Sequence, residues 1–344
     1  MRTRLQIYGF VTVMILTLAT GSQSAAQAPM PAEREVTFQN GPVELHGTLF
    51  LPAGQGPSPA VVFLHGSGPH SRAGFRVYAE EFAKIGIASL FFDKRGTGNS
   101  GGSWITASLE DLAGDALAAV ELLKVEEGVD SGRIGFWGVS QAGWVAPLAA
   151  SRSDDIAFMI LISGGGASPL ESELFSYRQQ FERAGLMGPE TAQAMDVLNA
   201  YFDYLATGKR RAELVALLDN IRKSPLNSLA EQLNRILPSN ENRPNWSWVA
   251  AHDPGPHIES LKCPVLLLFG DQDTDHPTEL AVERWQEALG KGGNDRATIM
   301  VFPGAGHGIR QRHGHAGNGR APFADGYNEV QIGWLWRHVL AGEQ

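Results

Sequence analysis

Gly138-Val139-Ser140-Gln141-Ala142 joins an apolar run, Arg133 to Trp137, to a helix-like run that continues to Ala150. The first run reads as a buried strand. A serine at such a junction sits on a tight strand-to-helix turn that pushes its hydroxyl outward and aims the next backbone N–H at the same point, as in the G-x-S-x-G elbow. Five residues alone are a thin signal, because Gly and Ser are common in ordinary turns. The fifth position is Ala142, with Gly143 one place later. Strand and helix pass closely there, and alanine is the smallest residue after glycine.

The neighbouring pattern extends this reading. Asn40-Gly41 between Glu35–Phe38 and Val43–Leu51 predicts a hairpin. Apolar strands follow at Val61–Leu64, Ile87–Phe92, Ile134–Trp137 and Ile156–Ile162, with helices predicted over Arg76–Ile85 and from Ser108 onward. Ser108 and Asp111 form a capping-box pattern ahead of a one-sided stripe that includes Leu109, Leu112, Ala116 and Val120, and Gly128 is the expected stop. Pro147 inside the elbow helix predicts a kink. Non-alternating apolar strands interleaved with helices imply a mostly parallel twisted sheet covered on both faces, an α/β fold. From residue 168 to 258 only helical periodicity is visible, so that block reads as an inserted helical lid over the strand ends, where open α/β sheets bind ligands. It divides a core of residues 33–167 and 259–344, whose last elements are a strand at Pro264–Phe269, a helix at Glu279–Leu289, a strand at Thr298–Phe302 and a closing helix at Asn328–Leu340.

The chain has 344 residues, 43% hydrophobic and 19% charged, with a formal charge of −9 and no Lys/Arg block. These values describe a globular chain and argue against a nucleic-acid partner. Arg2 and Arg4, an apolar stretch from Leu5 to Ala19 and small residues up to Ala28 have the order of a secretory signal peptide, read over residues 1–26. Gln6, Tyr8 and Thr12 interrupt a stretch already short of the roughly 20 residues a membrane span needs. The expectation is export to the periplasm or medium without a stable membrane anchor. Cys263 is the only cysteine, so no internal disulfide can form, and its place before an apolar strand predicts a buried, inert thiol.

A serine nucleophile needs a base, an orienter for the base and donors for the oxyanion. In sheets with this elbow the partners follow in the order Ser, acid, His. The loop after the Pro264–Phe269 strand carries Asp271, Asp273 and Asp275, and the loop after the last strand carries His307 in Gly306-His307-Gly308. If the first loop were extended, alternation would point all three acids the same way, so periodicity does not choose among them. His313 and His315 lie further out and read as solvated, since two ligands are too few for a metal site. His65-Gly66-Ser67-Gly68 follows an early strand and supplies the second oxyanion donor, Ser67 first and Gly68 as the other option, beside the N–H of Gln141. Asp93 and Arg95 read as an ion pair or turn bracing a strand end. Trp104, Trp144, Trp246 and Trp248 are candidates either for an acyl pocket or for the core.

His65-Gly66-Ser67-Gly68-Pro69, Asp93-Lys94-Arg95-Gly96-Thr97-Gly98-Asn99-Ser100, Trp137 to Trp144 and Asp253-Pro254-Gly255-Pro256 together resemble the α/β-hydrolase superfamily, and within it the exported EstD-type serine esterases. The resemblance runs from about Glu35 to the C-terminus and is least specific in the lid. It implies an α/β-hydrolase fold, places the acid at Asp273, the fourth position of its loop, and makes Pro147 less unusual. It also implies a serine hydrolase cleaving carboxylic esters of small molecules through an acyl-enzyme, with catalytic Ser140, Asp273 and His307 and no cofactor or metal. The rivals are a prolyl- or aminopeptidase-type serine peptidase, for which Glu171, Glu173 and Glu182 are candidate amine-binding acids, an acyltransferase, and a non-catalytic binding protein. Oligomeric state is not legible.

Overall fold

The chain turns back on itself at Gly41: β1 (Ala32–Asn40) and β2 (Val43–Leu51) pair antiparallel, with Asn40 opposite Val43. The computed structural model describes residues 31–341 apart from 55, 187, 225, 237–246 and 312–320. The expected leader, Trp246, His313 and His315 lie outside the described residues. Beyond the hairpin come β3 (Ser58–Leu64), β4 (Ala88–Phe92), β5 (Val129–Val139), β6 (Ile156–Ile162), β7 (Val265–Gly270) and β8 (Ala297–Phe302). They form one 8-stranded sheet in the order β1-β2-β4-β3-β5-β6-β7-β8. From β4 to β8 every neighbouring pair is parallel, and β2 joins β4 antiparallel. This is the α/β-hydrolase arrangement.

Helices α1 (Arg76–Lys84), α2 (Leu109–Lys124) and α3 (Ala142–Ala150) connect the early strands. Ser108 caps α2 through a reciprocal capping box with Asp111. The helix ends at Lys124, before the glycine expected to stop it. Gly128 instead accepts the Ser58 N–H at the start of β3. The next helix, α3, continues through Pro147 to Ala150.

Between β6 and β7 the described chain is helical: α4 (Pro169–Arg183), α5 (Pro189–Thr207), α6 (Arg211–Ile221), α7 (Asn227–Ile236), α8 (Trp248–Ala251) and α9 (Gly255–Glu259). These helices share a hydrophobic cluster of their own, including Tyr177, Phe181, Leu198, Tyr201, Leu205, Leu214 and Leu218. After β7 come α10 (Thr278–Gly292) and, near the end, α11 (Tyr327–Leu335), which continues as a wider turn to Leu340. Among the described residues no helix is long and apolar enough to cross a membrane.

Strand periodicity explains why both sheet faces are covered. In β6, Met159 and Leu161 join a core shared with α2, α3 and α10, whereas Phe158, Ile160 and Ile162 join a second core shared with α1 and α11. Alternate side chains point to opposite faces, and both faces here are apolar. Cys263 is buried, which pushes its thiol up to about 11.

The loop after β4 is braced, but not by an Asp93–Arg95 pair. Asp93 accepts the backbone N–H groups of Arg72 (2.9 Å) and Asn99 (3.1 Å). Arg95 reaches α2 instead, where Nε and Nη2 grip the two oxygens of Asp115 at 2.7 and 2.6 Å. Both partners are buried. Removing one member of a buried pair strands the other charge, whereas surface pairs contribute little. Arg95 Nη1 also meets the half-exposed Asp111 at 3.2 Å, so Asp115→Ala is expected to lower unfolding free energy by about 3 kcal/mol, the low end for a broken buried pair, in a denaturant titration. Arg34→Ala, which breaks the more exposed pair with Glu126, should cost at most about 1 kcal/mol. Equal small effects would contradict the assignment.

Candidate active site

Because the strands from β3 to β8 that carry them run parallel, the loops bearing Ser67, Ser140, Asp273 and His307 all leave the C-terminal edge of the sheet. Ser140 stands between β5 and α3 with φ +59°. L-residues rarely adopt that conformation, and it persists only where the surroundings enforce it. The surroundings here are two backbone bonds and a close crossing. Ser140 N–H donates to Ile162 at 2.8 Å, and its carbonyl accepts the Gly143 N–H at 2.8 Å. A Cβ on Gly164 would meet that carbonyl oxygen at 2.0 Å. Ala142 is fully buried, and a Cβ on Gly138 would lie 2.3 Å from its methyl group. This crowding accounts for a small residue at the elbow's fifth position.

The acid-bearing loop is a turn, not an extended segment, so its acids diverge. Asp271 is exposed and accepts the Gly304 N–H at 2.7 Å. Asp275 is exposed. Asp273 is buried, and its Oδ1 accepts the N–H groups of Asp275 (2.8 Å) and His276 (2.9 Å). Its Oδ2 accepts from His307 Nδ1 at 2.8 Å. That bond puts the imidazole proton on Nδ1 and leaves Nε2 as the proton acceptor. Burial pushes the Asp273 carboxyl up, but His307 and the two backbone donors outweigh it and hold it low. For His307, burial pulls downward, while the bond to Asp273 and the charges of Asp273 and Asp275 raise it above its usual 6.5.

Ser140 and His307 line one cavity of about 370 Å³ with His65, Gly66, Ser67, His70, Phe75, Tyr78, Trp137 and Val139. Trp137 borders this cavity, whereas Trp104, Trp144 and Trp248 do not. Trp144 is buried and donates to the Ala167 carbonyl. The Gly66 backbone lies against the Ser140 turn: a Cβ there would be 3.5 Å from Ser140 Cβ. His65 is a strut, donating from Nε2 to the Phe92 carbonyl at 2.6 Å, and burial brings it down to about 3, keeping it neutral.

Two positioning groups escaped the sequence reading. Ser163, with φ +51°, accepts the Gly308 N–H on its hydroxyl at 3.0 Å and so anchors the residue after His307. His276 is buried; its Nε2–H donates to the Gly165 carbonyl, and Nδ1 accepts from the Ser172 hydroxyl on α4. It ties the acid loop to the helical insert. Neither residue belongs to a motif, and only their places beside strand ends could have drawn notice.

The family described as X-Pro dipeptidyl-peptidase (S15 family) matches residues 40–308. Esterase EstD of Thermotoga maritima is 26% identical over 80% of this chain, which spans only 59% of that protein's length. The Pyrococcus furiosus esterase Pf2001 superposes with a TM-score of 0.57 at 19% identity, covering 90% of this chain and 93% of the other. Est1E of Butyrivibrio proteoclasticus, solved with ferulic acid, gives 0.54 at 18% identity, covering 89% and 98%.

The His307–Asp273 pair has a direct spectroscopic signature. In an NMR titration the His307 ring should titrate above 6.5. Asp273→Asn should bring that midpoint down by more than Asp275→Asn, which removes only a through-space charge. A midpoint indifferent to Asp273→Asn would contradict the pairing.

Proposed function

Because the chain belongs to the X-Pro dipeptidyl-peptidase (S15) family, we propose that it is a serine hydrolase that cleaves carboxylic esters through an acyl-enzyme. The observation that carries this reading is a buried carboxylate bonded to Nδ1 of a histidine that shares a cavity with a serine on a strained turn. His307 Nε2 takes the Ser140 proton as the hydroxyl oxygen attacks the ester carbonyl. Asp273 stabilises the imidazolium that forms. The N–H groups of Ser67 and Gln141 receive the oxyanion. His307 then protonates the leaving alcohol and activates the water that releases the acid.

One observation favours a second reading, cleavage of an amide next to a free amine. Glu173 on α4 keeps solvent contact yet stands among enough protein for desolvation, and then the charge of Asp275, to raise its carboxyl. Asp275 in turn acts on His307. Acids so placed would suit a substrate ammonium group.

Turnover of a short acyl ester and an aminoacyl-prolyl anilide, measured side by side, separates the two. The ester should have the larger kcat/KM; the reverse order would favour the peptidase. Ser140→Ala should reduce either activity by about 10⁶-fold with an unchanged unfolding midpoint. Undiminished turnover by that variant would end both readings.

A further inference from the structure

Lys94 is a buried cation in the loop after β4, 4% exposed. Its ammonium donates to the Gly66 carbonyl at 2.7 Å and to Gln141 Oε1 at 2.7 Å. Among the described residues it makes no ion pair. Asp115 acts on it only through space and is already gripped by Arg95. Burying an ammonium without a carboxylate partner works against stability, so packing does not explain a lysine here.

The two oxygens it holds belong to the two segments that carry the oxyanion donors. Gly66 C=O and Ser67 N–H are opposite ends of one planar trans peptide. Drawing the carbonyl inward to Lys94 turns the Ser67 N–H the other way, on a loop that lines the cavity containing Ser140. The second contact pins the buried side chain of Gln141, whose backbone N–H follows the nucleophile directly. A charged donor on the carbonyl also polarises the peptide and strengthens its N–H.

We propose that Lys94 is the positioning residue of the oxyanion hole, one ammonium that fixes the Ser67 and Gln141 donors at a common point and places positive charge behind them. This rests on the serine hydrolase reading. Lys94 touches no reacting atom and acts through the peptide and side chain it holds. The surrounding groups are neutral His65 at the end of β3, Asp115 on α2, Asp93 and Arg95 in its own loop, and His70, whose carbonyl accepts the Lys94 N–H. Burial lowers the ammonium to about 8, so its charge is present at neutral pH and is lost as pH rises through that value.

The test compares wild type, Lys94→Met and Gln141→Met, the last keeping the backbone donor. Its readouts are ester kinetics and inhibition by a trifluoromethyl ketone, whose serine adduct places an oxyanion in the hole. Lys94→Met should lower kcat by about 10²-fold with KM little changed, and weaken the ketone in parallel with kcat/KM. Gln141→Met should lose less, and the double variant should be no worse than Lys94→Met alone. In wild type, ketone affinity should decline above a pH of about 8, a limb absent from Lys94→Met. Wild-type kcat and ketone affinity in Lys94→Met, or a loss confined to KM, would overturn the proposal. Should Lys94→Met not fold, Gln141→Met carries the test: a parallel loss of kcat and ketone affinity supports the proposal, and wild-type values of both overturn it. Inactive Ser140→Ala beside fully active Lys94→Met sinks this inference alone, whereas active Ser140→Ala sinks the underlying reading.

Discussion

The turn at Ser140 is the constraint on which the rest of the site depends. A non-glycine residue at positive φ is strained, and here the loop after β6 enforces it from behind. The Ile162 carbonyl holds the Ser140 N–H, while the glycine backbone at 164 leaves no room for the turn to relax. The same loop starts with Ser163, whose hydroxyl anchors Gly308. One segment therefore supports both the serine and the neighbour of the histidine, although it contributes no reacting group.

The electrostatics reinforce that frame. Asp273 stays ionised despite its burial because it is bonded to His307 and two backbone N–H groups. Its loop and the histidine loop are tied by the backbone, Gln272 N–H to the Ala305 carbonyl at 2.8 Å. A Cβ on Gly270 would strike that same carbonyl at 2.3 Å. The loops cannot separate without losing these contacts, so the pair is preorganised. Lys94 gives the loop at Gly66 a comparable anchor. Buried polar groups on either side thus fix positions that apolar packing would leave free to shift.

The sheet was largely legible in the sequence. Ile156–Ile162 is a strand with the expected limits because both faces of the sheet are buried, whereas β5 runs from Val129 to Val139, well beyond the apolar Ile134–Trp137. Ser108 marks the start of its helix through capping chemistry. The acid was not legible from spacing: Asp271, Asp273 and Asp275 separate only because their loop is a turn, and the choice of Asp273 came from family resemblance. Arg95 could not be paired correctly, since Asp115 lies on a helix 20 positions away. Lys94, Ser163 and His276 act through contacts between distant segments, and no local pattern encodes those. Trp137 belongs to the strand core, where it is fully buried, and also borders the cavity near the end of β5.

The most direct measurement is covalent labelling by a fluorophosphonate, with the adduct located by peptide mass spectrometry. The proposed serine hydrolase chemistry predicts one adduct, on Ser140, which shares its cavity with His307. Labelling should also slow sharply when His307→Ala removes the base. An unlabelled protein that still hydrolyses ester, or an adduct on a different serine, would contradict the convergence of these side chains at the edge of the sheet.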